Sequence, residues 1–162
     1  MASAAASWFA VIDCASDPRL EGLVRSCREH ICLFKGKVDP ALSRAAPWLV
    51  RIDEGEALLP TWQQHGRGLS WGVMAYSALP IDGLQRFFRR FLQAKLPDGT
   101  LALFRFYDPR VFNTYIRAAE PDERAPWFDG VAQYGVEAEG GATMHQYRIA
   151  GGTLLDGNRP VA

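Results

Sequence analysis

The stretch that most constrains this chain is Leu101 to Ile116, LALFRFYDPRVFNTYI. Leu101 to Tyr107 is dense in Leu, Phe and Tyr, which predicts a strand apolar on both faces. Asp108 and Pro109 then predict a helix start. An Asp carboxylate accepts the backbone N–H groups left unpaired at a helix N-terminus, and Pro at the first helical position has its φ already set. Val111, Phe112, Tyr115, Ile116 and Ala119 recur at helical spacing, while Arg110, Asn113, Thr114 and Arg117 lie off that stripe. A doubly buried strand feeding a capped amphipathic helix implies a central sheet element covered by helices. Arg105 is the odd member. A charge in mid-strand needs a partner or a cavity, because burying it alone costs several kcal/mol or more.

The rest of the chain alternates in the same way. Trp8–Cys14 reads as a buried strand, and Leu20, Leu23, Val24, Cys27 and Ile31 as the apolar stripe of a helix. Cys32–Phe34 reads as a short strand, Asp39-Pro40 as the start of a third helix, and Trp48–Ile52 as a strand interrupted by Arg51. Leu58, Leu59 and Trp62 suggest a short helix, and Trp71–Tyr76 another strand. Asp82 is expected to cap the next helix, with Leu84, Phe87, Phe88, Phe91 and Leu92 on one face and Arg86, Arg89 and Arg90 off it. Pro97-Asp98-Gly99 predicts a tight hairpin turn, and Pro121–Phe128 a short helix. Val131–Glu137 and Thr143–Ile149 predict a closing hairpin about Gly140-Gly141. The pattern argues for a single α/β domain over residues 1–150: three layers, a mixed sheet flanked by helices, and a C-terminal β-hairpin. Residues 151–162, with Gly, Asn and Pro, are expected to form a flexible tail.

Composition sets outer bounds. Apolar residues make up 48% of the 162, enough for a sizeable core without metal or disulfide staples. Eighteen Lys plus Arg balance 18 Asp plus Glu, which removes the bulk electrostatic case for nucleic acid or an anionic membrane as partner. Cys14, Cys27 and Cys32 form no CxxC pair, so free thiols in a reducing compartment are expected. MASAAASWFAVID has no basic region ahead of its apolar run and makes a poor signal peptide. No apolar run reaches the roughly 18 residues of a spanning helix. A cytoplasmic protein is expected.

Three Asp-Pro steps act as an internal control. Asp17-Pro18-Arg19 nearly repeats Asp108-Pro109-Arg110, and Asp39-Pro40 is a third copy of the pair. Helix capping, worth about 1 kcal/mol, explains all three. A functional alternative places Asp13, Asp53 and Asp108 together. Each follows a predicted strand, and in a parallel arrangement their carboxylates would meet at one sheet edge beside Arg51 and Arg105, as in a small hydrolase-like α/β enzyme. The competing reading is that these aspartates only neutralise the arginines. His30, His65 and His145 form no metal-ligand spacing, Gly66-Arg67-Gly68 is no phosphate loop, and no nucleophile motif exists, so neither a cofactor nor a metal is expected. The Arg86, Arg89 and Arg90 face is either a solvated helix face or a docking patch for an acidic segment.

With these residues laid out, the chain resembles the effector adaptor/chaperone family of the bacterial type VI secretion system, the Tap/Tec proteins catalogued as domain of unknown function 4123. The resemblance is carried by WFAVID at Trp8–Asp13, CLFKG at Cys32–Gly36 and APWLVRID at Ala46–Asp53. It continues through SWGV at Ser70–Val73, RFFRRFLQAKLPDG at Arg86–Gly99 and, most specifically, LFRFYDPRVF at Leu103–Phe112. It implies a cytoplasmic, non-enzymatic protein that binds a toxic effector and helps load it on the VgrG spike. It also carries Arg105, Tyr107, Asp108 and Arg110 over as a candidate site, for the fold or for a partner. Longer members have a further helical lobe. With about 34 residues after Phe128, effector contact here would fall to the α/β face, the C-terminal hairpin or another subunit.

Overall fold

The structure, a computed structural model, describes residues 4–161. Its centre is β1 (Ser7–Asp13), which pairs antiparallel on one side with β3 (Pro47–Arg51) and on the other with β4 (Gly72–Ser77). Beyond β3 lies the edge strand β2 (His30–Cys32). Beyond β4 follow β7 (Gln133–Glu137), β8 (Met144–Ala150), β9 (Thr153–Asp156) and β10 (Arg159–Pro160). The eight strands stand in the order β10-β9-β8-β7-β4-β1-β3-β2, and every pairing is antiparallel. The α/β class holds, but the expected mixed sheet is antiparallel throughout. Strand–helix alternation does not fix strand direction when the intervening helix is a single turn or two.

The pleat of β1 sorts the core into two layers. Phe9 and Val11 point to one face and join Leu49, Val73 and Ala75 beneath α4 (Ile81–Arg89) and α5 (Pro109–Ala118). Ala10 and Ile12 point to the other and meet Leu20 and Val24 of α1 (Leu20–Arg25) and Leu58 of α3 (Leu58–Thr61). Leu84, Phe87 and Phe88 bury the predicted stripe of α4, each worth about 1.5–3 kcal/mol in area removed from water. On that same face Trp127 is ringed by Phe91, Phe106, Phe112 and Tyr115, the closest being Phe91, stacked at 4.0 Å between centroids.

Several expectations are corrected. Leu101–Tyr107 is not a central strand: β6 covers only Leu101–Leu103 and pairs with β5 (Gln93–Lys95) in a separate two-stranded ribbon. Phe106 and Tyr107 are buried, but by rings from helices and loops rather than by strand neighbours. The first helix stops at Arg25, and His30–Cys32 is strand. Asp82 does not cap α4; Pro80 holds the N-cap position, and Asp82 sits in the first turn, where its charge suits the positive end of the helix. Residues 151–161, expected to fray, carry β9 and β10, with Leu154 buried; Ala162 lies outside the described residues. Gly151 and Gly152 both have positive φ, the geometry a two-residue hairpin turn requires, so this Gly-Gly joins β8 to β9.

Two of the three expected Asp-Pro caps form; the third does not, because α1 begins at Leu20 with Arg19 at its N-cap position and Asp17 accepts from Arg19 instead. Asp39 caps α2 (Pro40–Ala45), accepting from Leu42 N at 2.8 Å, and Asp108 caps α5, accepting from Arg110 N at 2.9 Å. The short helix at Pro121 is α6 (Pro121–Arg124), continued by a 3-10 turn to Phe128.

Candidate functional site

The two Asp-Pro-Arg triplets fold into the same clamp. In each, the Asp accepts from the Arg backbone N–H, Nε and Nη2, at 2.9, 3.0 and 2.8 Å for Asp17–Arg19 and 2.9, 3.1 and 2.7 Å for Asp108–Arg110. Proline fixes φ, so the arginine two residues after the Asp is delivered back onto the carboxylate. The Arg19 hydrogen bonds pull Asp17 down to about 2. At Asp108 burial pushes the other way, yet the Arg110 bonds outweigh it and hold the carboxyl below its ordinary range. The repetition identifies the clamp as a local folding unit. Arg110 itself is 79% exposed, and its outer edge is free to meet solvent or a ligand.

Arg105 is not a buried charge. Its side chain is half-exposed and reaches back to the carboxylate of Asp13, which is 3% exposed at the end of β1. The buried member is the acid. Asp13 also accepts from Ala15 N at 3.1 Å, capping a 3-10 turn, so two donors hold it. Tyr107 is buried next to this pair. Burial first, then the negative charge of Asp13, raises its phenol against the opposing pull of Arg105.

Asp53 lies at the other end of the sheet. Because β1 and β3 are antiparallel, Asp13 stands opposite Pro47 at the start of β3, while Asp53 follows the end of β3 beside Trp8. Asp53 and Glu29 both pair with Arg51, at 3.1 and 3.0 Å. Asp53 is therefore remote from Asp13 and the three carboxylates do not form one site, whereas Asp13 and Asp108 flank Tyr107 and both feel the Arg105 charge. Among the described residues, no group of three or more His, Cys, Asp or Glu is placed to hold a metal ion.

The Arg86, Arg89 and Arg90 face is divided in its roles. Arg86 is exposed and makes only an i,i+4 contact with Asp82 at 3.5 Å. Arg90 lies over the rings of Phe87 and Phe91, 5.1 and 5.4 Å from their centroids. Arg89 turns inward: its Nε donates to Leu33 O at 2.8 Å and its Nη2 to Phe34 O at 3.1 Å. Gln85 Nε2 donates beside it to Cys32 O at 2.7 Å.

Other polar groups escaped sequence reasoning. Glu137, buried at the end of β7, accepts from Trp62 Nε1 and from Gly68 N, each at 2.8 Å. It fastens the loop after α3 to the β7–β8 turn, where the two backbones nearly touch: a Cβ on Gly141 would lie 2.2 Å from Gly68 N. Over this junction opens a cleft of about 580 Å³, lined by Arg110, Asn113, Thr114, Arg117, Glu137 and His145. Asn113 Nδ2 donates to Glu137 O at 2.9 Å, and Tyr147 Oη donates to Asn113 Oδ1 at 2.8 Å. His145 Nδ1 stands 2.6 Å from Asp156 Oδ2. Burial would raise Asp156, but the Gln146 N–H and the histidine outweigh it and hold it low. The only sequence signal for this cluster was a lone acid closing the apolar run YGVE.

Fold and polar network together define a three-layer α/β protein built on one eight-stranded antiparallel sheet, with Asp13, Asp53 and Asp108 each paired to an arginine. The chain belongs to the DUF4123 family, described as a domain of unknown function, whose profile matches residues 8–126. The match runs from β1 through α6, and β7–β10 follow it. No curated protein and no solved structure matches the chain.

Proposed function

We propose that this protein is a cytoplasmic, non-catalytic adaptor that binds a toxic effector of the type VI secretion system and helps load it on the VgrG spike. The observation that carries the reading is the DUF4123 match over residues 8–126, together with the ordered motifs that resemble the adaptor family. The remoteness of Asp53, with Asp13 held by Arg105 and Asp108 by Arg110, favours it over the three-aspartate strand-end enzyme, because general acid–base work needs its groups free and within reach of one substrate. Among the described residues no helix is long and apolar enough to cross a membrane, which agrees with a carrier that works in solution.

The test is co-expression with the effector and spike protein encoded beside it, followed by pull-down and a secretion assay in a strain lacking the adaptor. The expected result is a co-purifying effector whose secretion stops when the adaptor is removed. An effector that stays soluble and is secreted normally without it refutes the reading.

A further inference from the structure

The β5–β6 ribbon stands apart from the main sheet and exposes leucines. Leu101 is 65% and Leu103 49% exposed, and Leu96 is exposed at the turn. Cross-strand register places Gln93 opposite Leu103 and Lys95 opposite Leu101, so these four side chains share one face of the ribbon. That face runs into a groove of about 290 Å³ between the ribbon and the segment after β2, walled by Leu33, Phe34, Lys35, Arg89 and Leu92. Among the described residues no carboxylate lines the groove. Asp98, at the ribbon turn, is occupied by its own loop, accepting from Thr100 N and Oγ1.

The distribution of lysine marks the same place. The chain has three lysines, Lys35, Lys37 and Lys95, against a much larger number of arginines. Two of the three border the leucine face or its groove, and the third is two residues from the groove wall. Lysine keeps a strongly hydrated charge on a flexible stem, whereas Arg89, the arginine in the groove wall, is held by the carbonyls of Leu33 and Phe34. Exposed leucines ringed by mobile cations select a ligand with apolar anchors and negative charge.

We propose that the β5–β6 ribbon and its adjoining groove dock an acidic, leucine-bearing segment of a protein partner. The proposal rests on the adaptor reading only in taking the partner to be a protein. A second copy of the chain would bring like charges together at this face. Arg89 is held by the Leu33 and Phe34 carbonyls, which leaves three lysines, short of the four or more free cations that mark an anionic-lipid site.

The probe is a short fluorescein-labelled helical peptide with leucines on one face and glutamates elsewhere, read by anisotropy. Saturable binding is expected to weaken about tenfold in Lys35→Glu/Lys95→Glu and in Leu101→Ser/Leu103→Ser. It should also weaken as salt rises, and disappear when the peptide's glutamates become lysines. Acetylation of Lys35 and Lys95, followed by mass spectrometry, should slow when the peptide is bound. All four substituted side chains are exposed or at a groove rim, and unchanged melting curves confirm folding. Absent binding, or binding that the variants leave intact, overturns the proposal. So does variant-sensitive binding to phosphatidylserine vesicles without peptide binding, or self-association in sedimentation that Leu101→Ser/Leu103→Ser abolishes. Because the peptide is not an effector, this assay can fail while effector loading stands, and the reverse.

Discussion

Removing the Arg105 side chain as Arg105→Ala leaves the Asp13 carboxylate almost fully buried with one backbone donor, Ala15 N. Breaking a wholly buried ion pair costs about 3–5 kcal/mol, whereas an exposed pair is worth about 0.2–1 kcal/mol. The Asp13–Arg105 pair has one partner in each regime. Water can enter where the half-exposed guanidinium stood, so about 2 kcal/mol is expected. For a domain of this length that lowers Tm by about 6 °C. Melting followed by circular dichroism gives the value, and a cycle with Asp13→Asn gives the cause. If the penalty is an uncompensated buried charge, adding Asp13→Asn to Arg105→Ala recovers part of the loss. A single Arg105→Ala variant that melts with the parent refutes the structural role, and if it also loses partner binding the arginine is a recognition residue.

Asp108→Ala removes both the cap of α5 and the Arg110 clamp, at an expected 1–2 kcal/mol by analogy with cap deletions (about 0.5–2 kcal/mol). Because the folded Asp108 carboxyl is held low, its contribution is complete above about pH 4 and is lost as pH falls through the lowered value, so Asp108→Asn should flatten the acid limb of a stability–pH curve. Glu137→Ala strands the Trp62 and Gly68 N–H groups and should cost about 2–4 kcal/mol in urea titration, with Glu137→Gln losing less because one acceptor remains. Gly140→Ala and Gly141→Ala both place a side chain at positive φ, but only the second meets backbone, so Gly141→Ala should melt several degrees lower; equal melting would refute the close approach. Burial pushes the Cys14 and Cys27 thiols up to about 12 and 11, so both should resist iodoacetamide at neutral pH until the protein is unfolded.

What the sequence made legible was local chemistry. Asp39-Pro40 and Asp108-Pro109 announce α2 and α5 because a cap and a fixed φ act within one turn. The apolar spacing of Leu84, Phe87 and Phe88 announces α4 for the same reason. Leu101–Tyr107 misled because an apolar run records burial and not its means: Phe106 and Tyr107 are covered by neighbouring rings, while Leu101 and Leu103 are exposed. Gathering Asp13, Asp53 and Asp108 assumed strand direction, which no residue near them encodes. Glu137 and its loop junction were hidden because its partners, Trp62 and Gly68, are 75 and 69 residues away in the chain.

The contacts from Gln85 and Arg89 to the carbonyls of Cys32, Leu33 and Phe34 have a consequence for how the molecule lives at high concentration. An open sheet ends in unpaired peptide groups that invite another chain to extend it, and such growth has no natural stop. At this end β2 is only three residues long, and Gln85 occupies the Cys32 carbonyl while Arg89 holds the two that follow the strand. At the other the last strand is only Arg159–Pro160, and its proline nitrogen carries no hydrogen to offer. Edges this short offer an incoming strand few groups to pair with, so contact with another molecule falls to side chains instead.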